Sequence, residues 1–180
     1  MARGGAEAPR RKGARKLLDR ESAWDYLLWL LGRRMYTAAE LTRKLEKRGL
    51  GAETAEELIA RLTELKLIDD ASYTDMYVSS REASRGRLGL MQELRRKGVA
   101  QAVVEARLEE LTPEAQLAAA TALLRKNAWR YRPEEGATLD TEARLKARAK
   151  AFAFLARRGF TVAAAQDAVA AVGWFDEDGA

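Results

Sequence analysis

Neither cysteine nor histidine occurs anywhere in this 180-residue sequence, and proline occurs only three times. Without cysteine there are no disulfides and no thiol chemistry, a composition that fits a reducing cytoplasm. Without histidine the commonest general base, the partner of most nucleophilic serines and the usual transition-metal ligand are all missing. Ser79, Ser80 and Ser84 therefore form no hydrolytic site, and no nucleophile-elbow pattern surrounds them. No GxxxxGK[ST] phosphate loop is present, which argues against ATP binding through that motif. The longest apolar run near the start, Tyr26 to Leu31, is far too short to span a bilayer, and the residues before it lack the apolar core of a secretory signal. These absences point to a soluble cytoplasmic monomer that is not an enzyme and uses no cofactor or metal.

What the chain has is a repeated phrase. LEKRGL at Leu45 to Leu50, LRRKGV at Leu94 to Val99 and LARRGF at Leu155 to Phe160 each join a leucine, a basic cluster, a glycine and an apolar residue. Aligned on Gly49, Gly98 and Gly159, the units share Leu45/Leu94/Leu155 four residues before the glycine and Leu50/Val99/Phe160 one after. They also share Ile59/Leu108/Val169 ten after and Leu62/Leu111/Val172 thirteen after. Positions a turn apart share a face, so these offsets describe packed helix pairs. Eight before the glycine stand Leu41, Leu90 and the smaller Ala151, so the third unit diverges there. The glycines are 98 − 49 = 49 and 159 − 98 = 61 residues apart, which places an insertion in the last unit near Arg132 to Thr141.

Proline is scarce, good helix formers dominate and no segment shows the alternation of a strand, so the expected fold is all-α. The architecture read from the repeats is an elongated array of three tandem three-helix, helix-turn-helix-like units. A flexible basic tail spans 1–20, repeat 1 spans 21–68, repeat 2 spans 69–111, repeat 3 spans 112–173 and an acidic end spans 174–180. Ser22 is expected to cap the first helix, with Trp24, Leu27, Leu28 and Leu31 as its buried stripe, widened by Trp29 and Leu30. Thr37 with Glu40, and Thr54 with Glu57, read as capping boxes. Asp69 and Asp70 read as caps of the next helix rather than as a metal site. Thr112 with Pro113 starts a long helix to about Tyr131, a second runs from Glu142 to Arg158, and Thr161 caps the last. Trp24, Trp29 and Trp129 read as core; Trp174 and Phe175 could fold back on the last helix or dock elsewhere.

The net charge of +5 resides in residues 1–20, which hold seven basic and two acidic side chains; the other 160 balance at 25 and 25. Any whole-molecule attraction to a polyanion is therefore expected to begin in this tail, whose Gly, Pro and low apolar content predict a disordered arm.

Three further strings carry a resemblance: TAAELTRKLEKRG (Thr37 to Gly49), LKLIDDASYTDMYVSSR (Leu65 to Arg81) and GRLGLMQELRRKGV (Gly86 to Val99). Together they resemble the RecX family of recombinase regulators over about Ala23 to Leu111, with LARRGF and the three-helix rhythm matching beyond. Thr74 departs from the small residue, usually alanine, that the family carries after the tyrosine. The resemblance implies a regulator, itself non-catalytic, that binds the RecA nucleoprotein filament along its groove. It implies inhibition or modulation of recombination, ATPase and coprotease activities in DNA repair and the SOS response.

The candidate contacts to filament or to single-stranded or duplex DNA are the basic clusters Lys44/Lys47/Arg48, Arg95/Arg96/Lys97 and Arg157/Arg158. Arg81, Arg85 and Arg87 near the middle cluster, and Tyr73 and Tyr77 one turn apart, complete the set. Cations in a helix's last turn also complement its dipole, and paired tyrosines also pack cores, so each group has a purely structural use. The competing reading is a direct DNA-binding protein built from helix-turn-helix-like units, with the tail supplying sequence-independent attraction.

Overall fold

The computed structural model describes residues 18–132 and 140–175, so the basic tail up to residue 17, most of the insertion (133–139) and residues 176–180 lie outside the described residues. The described residues are helical with no strand. In chain order the helices are α1 (Arg20–Leu31), α2 (Ala38–Glu46), α3 (Ala52–Glu64), α4 (Asp70–Ser79), α5 (Arg87–Lys97) and α6 (Gln101–Glu109). The rest are α7 (Pro113–Lys126), the single turn α8 (Ala128–Tyr131), α9 (Thr141–Arg157) and α10 (Val162–Ala171). No described helix is long and apolar enough to cross a membrane.

Three separate apolar clusters organise these helices: one around Leu27, Leu41, Leu45 and Leu62, one around Val78, Leu90, Leu94 and Leu108, and one around Leu124, Phe154, Leu155 and Ala168. The repeat positions are the cores of these clusters. Leu45, Leu94 and Leu155 are fully buried, and so are Leu41, Leu90 and Ala151, so the smaller alanine still faces inward. Each repeated glycine is left-handed, with φ of 78°, 84° and 80° at Gly49, Gly98 and Gly159. The next residue's N–H then donates back over the turn: Leu50 to Leu45, Val99 to Leu94 and Phe160 to Leu155, at 3.2, 3.3 and 3.2 Å. This is the Schellman ending, which needs a residue free to take positive φ.

The same ending closes α3, where Leu67 N–H donates to the Leu62 carbonyl at 2.9 Å, but the left-handed residue is Lys66, φ 54°. A side chain there costs about 1 kcal/mol. Lys66→Gly is expected to raise the thermal midpoint by a few degrees, while Lys66→Ala brings no gain; calorimetry on the two variants distinguishes relief of strain from loss of the lysine.

Several expected helix starts are different in the structure. The α1 cap is Asp19, whose carboxylate accepts from Ser22 N–H, so Ser22 lies inside the helix. Thr54 is also internal, because α3 begins after Gly51 with no side-chain cap. Thr37 caps α2 by accepting from Glu40 N–H, and the Glu40 carboxylate bonds back to the Thr37 backbone, as a capping box requires, while also pairing with Lys97 and Arg34. Asp69 caps α4, accepting from Ala71 and Ser72 N–H, whereas Asp70 reaches back to Ala38 N–H at the start of α2. Thr112, Pro113 and Thr161 stand where the sequence places them, but the long helix breaks at Asn127, whose side chain donates to the Leu123 carbonyl.

The α1 stripe is narrower than expected: Ala23, Leu27 and Leu30 are buried, while Leu28 and Trp29 face solvent. Trp129 is 80% exposed and is not core. Phe175 is buried in the third cluster with Trp174 against it, so the chain folds back there. Thr74 is buried and its hydroxyl donates to the Asp70 carbonyl, which satisfies the polar group an alanine would lack.

The middle helices α9, α5 and α2 meet end to end. At the second junction the Arg158 and Gly159 carbonyls accept from Gly86, Leu88 and Gly89 N–H at 3.1, 3.0 and 3.3 Å. At the first, the Lys97 carbonyl accepts from the Thr37 hydroxyl and from Arg43, which also reaches the Arg96 carbonyl. The backbone bonds at the second junction and the Thr37 hydroxyl at the first join the carbonyl end of one helix to the amide end of another, so carbonyls left unpaired at a helix end find partners. A side chain from the following unit completes each start: Asp70 Oδ1 on Ala38 N–H and the buried Gln116 Oε1 on Arg87 N–H.

Candidate nucleic-acid interface

The first junction leaves an open cleft of about 540 Å³ between α2 and the end of α5. Lys44, Lys47 and Arg48 line it from the end of α2, and Arg96 and Lys97 from the end of α5. The clusters that the sequence spaces 49 residues apart therefore share one concavity. Arg34 and Arg43 add two further cations, Glu40 is the single acidic residue of the lining, and Tyr26 closes one side. Seven cations against one carboxylate give the lining a formal +6.

The lining divides by partner. Glu40 holds Lys97 at 2.9 Å and Arg34 at 3.3 Å, and Arg43 is spent on backbone carbonyls. Lys44, Lys47, Arg48 and Arg96 have no carboxylate partner among the described residues. Arg48 lies over the Tyr26 ring at 4.3 Å. Tyr26 in turn stacks on Trp29 one turn along α1, with centroids 6.1 Å apart and planes 20° apart. Trp29 is 55% exposed, and the Arg33 guanidinium lies 4.5 Å from its ring centre. Basic patches interleaved with aromatic faces are the composition that single-stranded nucleic acid recruits, phosphates to the cations and bases to the rings.

The other candidate residues are placed elsewhere. Arg95 and Arg157 are exposed outside the cleft lining. Arg81 lies over the Tyr77 ring, Arg85 pairs with Glu93 at 3.0 Å, and Arg158 lies over Phe154, so each has a structural partner. Arg87 is half-buried at the second junction. Tyr73 and Tyr77 are buried and stacked on each other, so neither presents a ring face as a free platform; the Tyr77 hydroxyl donates to Glu93 at 2.8 Å. Burial, then Glu93, pushes the Tyr77 phenol above its ordinary value.

Two matches place this architecture among known proteins. The family model for RecX, first three-helix domain, covers residues 23–62, and that for RecX, second three-helix domain, covers 69–108. The regulatory protein RecX of Mycolicibacterium smegmatis is 36% identical over 151 residues, 83% of this chain and 78% of that protein. The chain belongs to the RecX family. The regulatory protein RecX of Thermobifida fusca is likewise 36% identical, over 74% of this chain and 69% of its own. Among solved structures, RecX from Lactobacillus salivarius superposes with a TM-score of 0.72 at 21% identity, covering 86% of this chain and 96% of that one, a likeness of fold. A further regulatory protein RecX gives a TM-score of 0.66 at 26% identity over 81% and 68% of the two chains.

Both matched RecX domains contribute to the cleft, and the Glu40–Lys97 pair holds them together across it. Burial raises the Glu40 carboxyl, but the Lys97 hydrogen bond and charge, then Arg34 and Thr37, lower it further, to a net position below its ordinary 4.5. Lys97 is raised above 10.5, first by the Glu40 hydrogen bond. A depressed carboxyl stabilises the fold above its ordinary pKa and loses that contribution as pH falls through the folded value. A raised ammonium contributes below its ordinary pKa and loses it as pH rises through the higher folded value. Chemical denaturation from pH 7 to 3 should therefore show a loss below about pH 4.5 that is smaller in Glu40→Gln. Equal acid losses in the two proteins would place the titration elsewhere.

Proposed function

We propose that this RecX-family protein binds RecA nucleoprotein filaments in the cytoplasm and restrains their recombination, ATP hydrolysis and coprotease activities. The observation that carries the reading is the end-to-end line of α9, α5 and α2, with a basic cluster near each helix's end. An array of this kind offers several groups of cations to a helical polymer of like subunits, and weak contacts on neighbouring subunits multiply through effective concentration. Membership of a family whose relatives are named regulatory proteins supports control by binding rather than by chemistry.

The test is a titration into RecA filaments preassembled on single-stranded DNA, following DNA-dependent ATP hydrolysis beside a bare-DNA binding control. Inhibition is expected at concentrations that leave most bare DNA unbound. Unchanged hydrolysis with tight, salt-sensitive binding to DNA alone would replace the filament reading with direct DNA binding. A combined Arg95→Ala and Arg96→Ala variant, which removes two exposed cations of α5, should weaken inhibition while leaving helix content unchanged. Undiminished inhibition by that variant would take the middle cluster out of the interface.

A further inference from the structure

We infer that the outer face of α9 in one copy of this chain docks in the groove between α4 and α6 of another, forming a head-to-tail contact between copies. The inference stands apart from the filament reading. The groove, of about 420 Å³, has an apolar floor of Ala71, Ala102, Val103 and Ala106, with Asp75, Arg107 and Glu110 at its edges. The Arg107 side chain is only 15% exposed and is held by Asp75 at 3.1 Å, Glu110 at 3.4 Å and Glu82 at 3.6 Å. Three carboxylates around one guanidinium leave a formal −2, and Asp75 and Glu110 face solvent. A floor of alanines lets another helix approach closely, and the acidic edge selects a basic one.

That helix is present in the same chain. Leu145 and Ala149, one turn apart, form an exposed apolar ridge on α9, with Leu145 60% exposed. Lys146 and Lys150 flank the ridge on one side and Arg148 on the other. All three are exposed and have no carboxylate partner among the described residues. Within one chain neither face covers the other, since residues of α4 and α6 alone line the groove and Leu145 stays open. The ridge suits the alanine floor while the lysines meet Asp75 and Glu110, so shape and charge select the same partner. A polyanion would take the cations and leave both Leu145 and the groove unused. In a head-to-tail pair one groove and one α9 stay free, so further copies can add.

The experiment is sedimentation equilibrium of the full chain from about 5 to 300 µM, without recombinase or nucleic acid, at low and high salt. The average mass is expected to rise above that of one chain with concentration at low salt and to fall back at high salt. Lys146→Glu with Lys150→Glu should be monomeric alone. So should Asp75→Lys with Glu110→Lys, in which Glu82 still holds Arg107. Mixing the two should restore association, because each reversed α9 then meets a reversed groove and each unchanged α9 an unchanged one. Leu145→Asn should weaken association about ten-fold. Circular dichroism checks that the variants remain helical. Three results would overturn the contact: a wild type that is monomeric throughout, a mixture no heavier than its parts, or an α9 variant that associates as wild type does. The last would put another basic segment, such as residues 1–17, in the groove. The filament titration succeeds or fails separately.

Discussion

Gly86→Ala is expected to detach the third group of helices from the second, at a cost of about 3 kcal/mol or more. A Cβ on Gly86 would stand 2.2 Å from both Cα and N of Phe160 and 2.3 Å from the Gly159 carbonyl oxygen. These are backbone atoms, so no rotamer change removes the clash and the junction itself has to open. Opening breaks the bonds from Gly86, Leu88 and Gly89 N–H to the α9 carbonyls and exposes the start of α5. The matched control is Gly51→Ala. Gly51 is also a helix N-cap in extended conformation, φ −62° against −77°, but a Cβ there meets nothing within 4 Å. Urea unfolding should give Gly51→Ala a midpoint close to wild type, while Gly86→Ala shows a lower or divided transition. A single unchanged transition for Gly86→Ala would mean that the junction contributes little to stability.

The second large effect is Thr37→Val, a change that keeps shape and removes one hydroxyl. Thr37 is fully buried; its oxygen accepts from Glu40 N–H at 3.1 Å and its hydrogen is donated to the Lys97 carbonyl at 2.8 Å. One atom thus caps α2 and ties the first unit to the second. Loss of a cap costs about 1 kcal/mol and a buried amide left without a partner adds about as much again, giving about 2 kcal/mol. Arg43 still serves the Lys97 carbonyl, which limits the loss on that side. Thr37→Ser retains both bonds and forgoes a methyl group, so it should keep most of the stability. If valine and serine prove equally costly, the methyl contact rather than the hydroxyl is what matters.

Of the two, Thr37 bears on the candidate site. Thr37 fixes where the end of α5 lies against α2, and that contact brings Arg96 and Lys97 to Lys44, Lys47 and Arg48. The leucine-rich pattern was enough to read the repeat offsets as a buried face, and all of those positions but the partly buried Val172 are buried; even Ala151, where the third unit diverges, faces inward because burial repeats with helix geometry. It was also enough to mark the basic clusters and the glycine endings. It did not separate core from surface for the aromatics. Tyr73 and Tyr77 are buried, while Trp29 and Trp129 are exposed, because apolar character says how much a ring gains from burial and nothing about whether a neighbour covers it. Arg34, Arg43 and Trp29 went unselected as site residues. Arg43 lies one turn before Lys47 on α2, which is the signal that could have found it.

Local preferences act over a few residues, and here they determined the helices, the left-handed glycines and the repetition. Helix starts were less legible, since Asp19, Ser22 and Thr54 compete as caps and the winner depends on where the chain bends. Contacts between units lie beyond that range. Asp70 serving Ala38, Gln116 serving Arg87 and Gly86 accommodating Phe160 join residues 32, 29 and 74 positions apart, and each is fixed by how whole helices dock. The sequence by itself determined an all-helical array with a basic cluster in each repeat. Only the tertiary structure decided that the first two clusters share a cleft with an aromatic edge, because stacking helices end to end folds a 49-residue separation into one concavity.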